Sequence, residues 1–353
     1  MRRISSGVAI MRVLITGAAG HVGQRLAQEF PGAVLLDMAA GIDGKYQSID
    51  VTSGMILDRA MHLASPEVVI HLAGRVGRLN CDTDPACTLN VNVNGTHNVA
   101  EACAKYGYRM IHVSTSEVYG GWGGRPGLSP NNWYGATKLM GEDVVHHYQY
   151  FKGLDACIVR PFMMYHENET HGSHRSAMIR FAHAVQNGTE IELHKGSARG
   201  WLHFDDVAAF FRTLVMLDEW PAILNIGNPD IIPMSELIEM MEGELGKKAK
   251  VVDVEQPGGM TLVKSPDLST QESLGMVPQI SNRRGVQRVC AGLKASAEVR
   301  EAVDAEVSWF LAAPGMMTEK RIRNQVEHVR AKYGIVKPVY PVEFSNQFKG
   351  GDE

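Results

Sequence analysis

Tyr134 and Lys138 stand four residues apart in Tyr134-Gly135-Ala136-Thr137-Lys138, so any helix that holds them puts both on one face. A lysine ammonium there favours phenolate over phenol and draws the tyrosine pKa down toward neutrality. A phenol in that state takes the proton of a secondary alcohol as its hydride leaves. Upstream, Ser114-Thr115-Ser116-Glu117-Val118-Tyr119-Gly120 sets hydroxyls and a carboxylate at the end of an apolar run, with Thr115 placed to hold the same alcohol oxygen. Further upstream, Thr16-Gly17-Ala18-Ala19-Gly20-His21-Val22-Gly23 is a glycine-rich turn that leads into a helix. Such a turn lets backbone N–H groups and the helix N-terminus approach the pyrophosphate of a dinucleotide. The next apolar run, Ala33 to Asp37, ends in an acid about 20 residues after the first glycine. Asp37 there accepts hydrogen bonds from the adenosine ribose hydroxyls and repels a 2′-phosphate, which favours NAD over NADP. Together the three segments imply hydride exchange with a nicotinamide.

The elements that must position these groups follow from hydrophobic pattern. Arg12 to Thr16, Ala33 to Asp37, Tyr46 to Asp50, Glu67 to Leu72, Met110 to Ser114 and Ala156 to Arg160 read as strands. Between them, helices are expected over His21 to Phe30, Ser53 to Ala64, Pro85 to Tyr106 and Tyr134 to Phe151. This alternation predicts an α/β fold, a Rossmann-type doubly wound parallel sheet with ligands at the carboxyl ends of its strands. Residues 120–127, rich in glycine, read as a mobile loop beside the site. Beyond residue 160 the pattern loosens into helices over 178–186, 205–217 and 235–245, short strands at 191–194 and 224–228, and helical stretches over 285–311 and 318–333. The expected division is an NAD-binding domain over 11–160, with 200–230 packing back on it. Residues 161–353 then form a smaller mixed substrate-binding domain and a helical extension.

The chain has 353 residues, is 44% hydrophobic and 21% charged, and carries a formal charge of −4. That is enough to bury a large core, and the charge offers no basic field to nucleic acid. No apolar stretch reaches a membrane span. Residues 1–10 lack the apolar region of a signal peptide, and Met11 is a candidate start. Five cysteines, with no C-x-x-C pair, read as reduced thiols of a cytoplasmic protein. His166, His171 and His174 invite a metal reading, but their spacing matches no standard zinc pattern, and no metal is expected.

With these segments in place, the chain resembles the extended short-chain dehydrogenase/reductases of the nucleotide-sugar epimerase/dehydratase family, from about Arg12 to about Pro278. His71-Leu72-Ala73-Gly74, Asn92-Val93-Asn94-Gly95-Thr96, the segment from Arg199 to Val207, Asn225-Ile226-Gly227 and the segment from Leu274 to Pro278 are similar to further family landmarks. The resemblance implies NAD as cofactor, a nucleotide-sugar substrate and a homodimer built on the helices over 85–106 and 134–151. It makes Tyr134 the base, Lys138 its electrostatic partner and ribose ligand, and Thr115 the hydroxyl partner. It places the cofactor against Gly17, Gly20, His21, Val22, Gly23, Asp37, Asp50, Val51, Leu72, Ala73, Gly74, Asn92, Ser114 and Pro161. Ser116, Arg199 and His203 fall to the substrate, with Arg199 expected to meet the nucleotide or diphosphate. Thr115-Ser116-Glu117 is similar to the dehydratase and decarboxylase pattern, in which a carboxylate can remove the C5 proton of a 4-keto sugar; pairing of Glu117 with a local cation is the alternative. One departure stands out. Where the family has Arg-x-Phe-Asn-x-Tyr-Gly-Pro, this chain reads Arg160-Pro161-Phe162-Met163-Met164-Tyr165-His166-Glu167. A thioether cannot donate the hydrogen bond of the family asparagine.

Overall fold

Short aliphatic runs that are buried on both faces must be covered by helices on both sides, and this requirement shapes the chain. The computed structural model describes residues 11–39, 45–122, 127–169, 176–255 and 261–295. The first half alternates as expected: β1 (Val13–Thr16), α1 (His21–Glu29), β2 (Val34–Asp37), β3 (Gln47–Ser48), α2 (Gly54–Ala64) and β4 (Val68–His71). Next come α3 (Arg78–Thr83), α4 (Pro85–Leu89), a π-helical turn over Asn90–Asn94, α5 (Gly95–Tyr106) and β5 (Arg109–Val113). A 3₁₀ segment (Ser116–Trp122) leads on to α6 (Trp133–Lys152) and β6 (Ala156–Pro161). The single helix expected over 85–106 thus carries a π turn near its start, and α3 precedes it. The loop expected over 120–127 begins inside the 3₁₀ segment, and its residues 123–126 lie outside the described residues.

The remainder contains β7 (Met164–Tyr165), α7 (Ala177–Asn187), β8 (Glu190–His194), β9 (Ala198–Arg199), β10 (Leu202–His203), α8 (Phe204–Val215) and β11 (Ile223–Ile226). It continues through β12 (Ile232–Pro233), α9 (Met234–Leu245), β13 (Lys250–Val254) and α10 (Ser269–Ser273). Seven strands make one parallel sheet in the order β11-β6-β5-β4-β1-β2-β3, while β7/β10, β9/β12 and β8/β13 form separate pairs. The connections reverse direction between β1 and β4, and the carboxyl ends there open the crevice in which such sheets bind ligands. Side chains alternate across the sheet. Val13 and Ile15 of β1 face a core completed by Leu26, Val207 and Phe211, and α1 packs on α8. Leu14 faces the opposite core with Leu57, Val99 and Val145, where α5 packs on α2 and α6. Residues Met1–Cys290 form one compact unit; of the second, Ala291–Glu353, the described part (291–295) is helical, and the helix expected over 318–333 lies outside the described residues.

A buried ion pair fixes α6 against the sheet. Arg160 at the end of β6 donates from Nε to Glu142 Oε1 at 2.9 Å and from Nη2 to Oε2 at 2.5 Å, and Glu142 is 1% exposed. Ser114, just past β5, donates to Glu142 Oε1 at 2.5 Å. Arg160 Nη1 also donates to the Tyr119 hydroxyl at 2.8 Å, which donates to Asn225 Oδ1 of β11 at 2.8 Å. Breaking one side of such a pair strands a buried charge and costs about 3–5 kcal/mol, whereas removing both sides costs far less. Glu142→Gln should therefore lower the stability read by urea unfolding by about 3–5 kcal/mol. The double change Glu142→Gln with Arg160→Met should recover part of that loss.

Candidate active site

The crevice holds a cavity of about 720 Å³ lined by Gly17, Gly20, His21, Val22, Gly23 and Asp37 on one side. Val51, Leu72, Ala73, Gly74, Ser114, Tyr134 and Pro161 line the rest. Its walls suit a dinucleotide. Gly17 takes φ +71°, and a Cβ there would sit 2.6 Å from the Ala73 nitrogen; a Cβ on Gly23 would sit 2.4 Å from the Gly17 oxygen. Only glycine allows the turn to pack this closely under α1. Gly20, the N-cap residue of α1, brings no side-chain oxygen to the first turn, and a helix N-terminus of this kind suits a phosphate. Asp37 Oδ2 accepts the Ala19 N–H at 2.9 Å, which ties the end of β2 to the glycine turn and sets a carboxylate on the cleft wall.

A row of neutral hydrogen bonds stiffens this wall. The Ala73 N–H donates to Thr16 Oγ1, whose hydroxyl donates to His71 Nδ1 at 2.8 Å. His71 Nε2 then donates to Thr96 Oγ1 at 3.1 Å, and Thr96 donates to the Asn92 carbonyl at 2.7 Å. Burial, with help from Lys138, pulls the His71 pKa down to about 3, so the ring stays uncharged. Asn92 itself does not line the cleft. Its Oδ1 accepts the Arg75 N–H and its Nδ2 donates to the Arg75 carbonyl and to Thr137, so it shapes the strand-end loop from beneath. Asp50 is likewise turned to the Thr52 N–H at 2.8 Å and away from the cleft lining.

Tyr134, half-buried at the start of α6, is hydrogen-bonded by Thr115. Lys138 follows one turn later, 4% exposed. The expectation of a phenol drawn toward neutrality is not met by the protein alone. Burial pushes the Tyr134 pKa up to about 12; the Thr115 bond opposes this, and the Glu117 charge adds to it. Burial also lowers Lys138 to about 8, against the pull of Glu142 one turn further along α6.

Glu117 faces a second cavity of about 320 Å³, lined also by Arg78, Asn131, Met163, Arg199, Trp201 and Lys264. Its carboxylate pairs with Lys264 Nζ and accepts from Asn132 Nδ2 at 3.1 Å, while Asn132 Oδ1 caps α6 through the Gly135 N–H. Burial raises the Glu117 pKa, but Lys264, Arg78 and the Asn132 bond outweigh it and hold the carboxyl below its ordinary value. The Glu117 backbone N–H donates to Thr115 Oγ1 at 3.2 Å, and the Glu117 charge is felt at Tyr134. Ser116 is buried and lines neither cavity.

Two residues expected to meet the substrate also hold partners within the protein. Arg199 lines the second cavity, but its guanidinium donates to the carbonyls of Ala198, Thr261 and Leu262. These bonds tie Arg199 to the 261–264 segment. His203 is fully buried at the start of α8: Nδ1 accepts the Asp205 N–H at 3.0 Å and Nε2 donates to Glu167 at 2.7 Å. It is a helix cap, outside the substrate cavity. His166, Glu167 and His203 do come together, with ligand atoms within 4.8 Å of one another. Yet both histidines accept a backbone N–H on Nδ1, which leaves Nε2 protonated, and Arg288 already holds Glu167. That set suits a hydrogen-bond network and not a metal. His171 and His174 lie outside the described residues.

Lys264, Arg78 and the Glu142–Arg160 pair were not among the residues singled out from sequence. Glu142 carried a signal, since it stands four residues after Lys138 on the same helix face. Arg160 carried another, as a charge closing a buried strand. Lys264 carried none, because its partner is 147 residues away.

The geometry meets its counterpart in known proteins. The model of the NAD dependent epimerase/dehydratase family matches residues 13–227. A UDP-N-acetyl-alpha-D-glucosaminuronate decarboxylase of Bacillus cytotoxicus is 28% identical, over 78% of this chain and 95% of that protein. A UDP-glucuronate 4-epimerase of Thermodesulfobacterium geofontis is 26% identical, over 82% and 98%. In fold, the UDP-glucose 4-epimerase of Thermotoga maritima, solved with UDP-glucose, superposes with a TM-score of 0.72 at 20% identity, covering 81% of this chain and 100% of that one. With a cleft suited to a dinucleotide, Tyr134 on its wall and a match over more than half its length, this chain belongs to the NAD-dependent epimerase/dehydratase family and is an NAD-dependent enzyme.

Proposed function

We propose that this enzyme oxidises the C4 hydroxyl of a nucleotide sugar to a transient 4-keto sugar, alters the activated sugar and then restores the hydroxyl. The observation that carries this reading is the position of Tyr134. It lines the dinucleotide cleft, and Thr115 bridges it to Glu117 in the neighbouring cavity. A sugar that reaches from that cavity to the Tyr134 side of the cleft presents its alcohol to both hydroxyls. NAD, when bound, accepts the hydride from the sugar carbon and returns it, and its oxidised ring adds a positive charge to the site. Tyr134 Oη, as the phenolate that the Lys138 ammonium stabilises, takes the alcohol proton and returns it when the hydroxyl is restored, while Thr115 Oγ1 orients the alcohol.

The 4-keto group acidifies the C5 proton, and elimination would need a base beside it. Glu117, ionised and held by Lys264 and Asn132, is a weak base in that arrangement. This supports epimerisation or decarboxylation, with Glu117 orienting the sugar, over elimination of water. We further propose that residues 11–160 with 200–230 serve the cofactor and the remainder mainly the substrate. On the same reading the enzyme is a cytoplasmic homodimer that pairs through α5 and α6, where Met140, Tyr150 and Phe151 are exposed. Among the described residues no helix is long and apolar enough to cross a membrane.

Tyr134→Phe should cut turnover by about 10²-fold or more and leave NAD bound, since only the proton-accepting oxygen is lost. Lys138→Ala should weaken both turnover and NAD affinity. Because Lys138 works as the ammonium and titrates near pH 8, the turnover of the wild type should fall as pH rises through about 8. A rate that keeps climbing to pH 10 would contradict this assignment. Replacing Asp37 with Ser should narrow the preference for NAD over NADP by about tenfold, read by titration of both cofactors, because a like charge facing the 2′-phosphate is removed.

A further inference from the structure

Thr115 and Tyr134 must meet one sugar oxygen on the reading above, yet they stand on different elements. Thr115 directly precedes the 3₁₀ segment and Tyr134 opens α6. The two elements meet closely. A Cβ on Gly135 would sit 2.6 Å from the Glu117 carbonyl oxygen, so glycine there lets the first turn of α6 rest on the backbone of that segment. Thr115 and Glu117 share one turn, because the Glu117 N–H donates to Thr115 Oγ1 at 3.2 Å and the Val118 N–H to the Thr115 carbonyl at 3.4 Å. The Thr115 hydroxyl in turn is hydrogen-bonded to Tyr134. Close packing sets the spacing of the two elements. A directional bond between them is what sets their registry.

Asn132 supplies that bond. It is 9% exposed, lines neither cavity, and has every group of its amide engaged. Its Oδ1 accepts the Gly135 N–H at 2.9 Å, and its Nδ2 donates to Glu117 Oε2 at 3.1 Å and to Asn131 Oδ1 at 3.0 Å. Asn131 Oδ1 also accepts from Arg78 Nη2 at 3.2 Å. Turning the amide over would set its nitrogen against the Gly135 N–H and its oxygen against two other oxygens, so the partners fix its orientation. Serine or aspartate caps a helix about as well as asparagine does. Neither holds both partners here, because the serine hydroxyl is too short to span them and an aspartate has no donor for Glu117. We propose that Asn132 is a positioning residue. By joining Glu117 to the first turn of α6, it sets Thr115 and Tyr134 at the separation that lets both hydroxyls meet one alcohol oxygen. This inference rests on the proposed roles of Thr115 and Tyr134 and adds a residue that touches neither substrate nor cofactor.

The test uses the NAD-loaded full chain and a panel of UDP-, dTDP- and GDP-linked hexoses and hexuronates. With a sugar that the wild type turns over, kcat and KM are measured for Asn132→Ser and Asn132→Asp, alongside NAD affinity by calorimetric titration and the melting temperature. Asn132→Ser keeps an oxygen for the Gly135 N–H and loses the tie to Glu117. It should lower kcat by about 10- to 100-fold, the loss that follows when a reacting group shifts by up to about 1 Å. KM, NAD affinity and melting temperature should stay as they are. Asn132→Asp, which also turns a like charge on Glu117, should lose at least as much. In Glu117→Ala the tie is already absent, so adding Asn132→Ser should lower kcat by less than about twofold. Wild-type kcat in Asn132→Ser, or losses that multiply in the double variant, would overturn the proposal and leave the nucleotide-sugar reading intact. Loss of melting temperature and NAD affinity together with kcat would assign Asn132 to stability alone and overturn it too. If Glu117→Ala folds poorly, the two Asn132 variants decide. If the wild type turns over no member of the panel, both readings fall.

Discussion

The bidentate pair between Glu142 and Arg160 is the constraint through which the rest of the site is held. It sits where α6 crosses the carboxyl ends of β5 and β6, and it gathers Ser114, Tyr119 and Asn225 from three further segments. A carboxylate and a guanidinium removed from water require good geometry and additional partners, and here each has them. Lys138 and Tyr134 lie one and two turns earlier on the same helix, so the pair sets the height and rotation at which both reach the cleft. Its negative end also favours the ammonium form of Lys138, which burial alone disfavours. Positioning and electrostatics thus share one interaction.

A second ion pair organises the substrate side. Lys264 reaches Glu117 because Arg199 clamps the carbonyls of Thr261 and Leu262 while Thr261 donates to the Gly120 carbonyl. Asn132 then links that pair to the start of α6 by capping the helix with one end of its amide and holding Glu117 with the other. The two ion pairs therefore meet α6 at its start and at its middle. A phenol raised to about 12 between them is inert on its own. On the proposed mechanism it gains its basicity as the oxidised cofactor brings positive charge into the cleft.

The parallel sheet and the cofactor cleft were legible in the sequence because their signals are local. Buried strands are short apolar runs, the glycine turn is contiguous, and the Tyr–Lys spacing is helical. The cleft lining contains most of the cofactor residues expected from those segments; Asp50 and Asn92 support it from behind. Legibility declined where function depends on partners far apart in the chain. Lys264 stands in an unremarkable stretch, and only folding brings it to Glu117. Arg199 and His203 belong to a segment similar to family landmarks, but backbone carbonyls and Glu167 claim their donors. The direction of the Tyr134 shift was also beyond the sequence, since spacing reveals the nearby lysine but not the depth of burial.

The central claim is that a hydride leaves the sugar and returns to it within one closed site. A nucleotide sugar that the enzyme turns over, deuterated at C4 and incubated with the NAD-loaded enzyme, offers the most direct measurement, with product and solvent both analysed by mass spectrometry. The account predicts that the sugar product keeps the deuterium and the solvent gains none. Deuterium released to water, or turnover that leaves the C4 bond untouched in enzyme whose NAD has been removed, would contradict it.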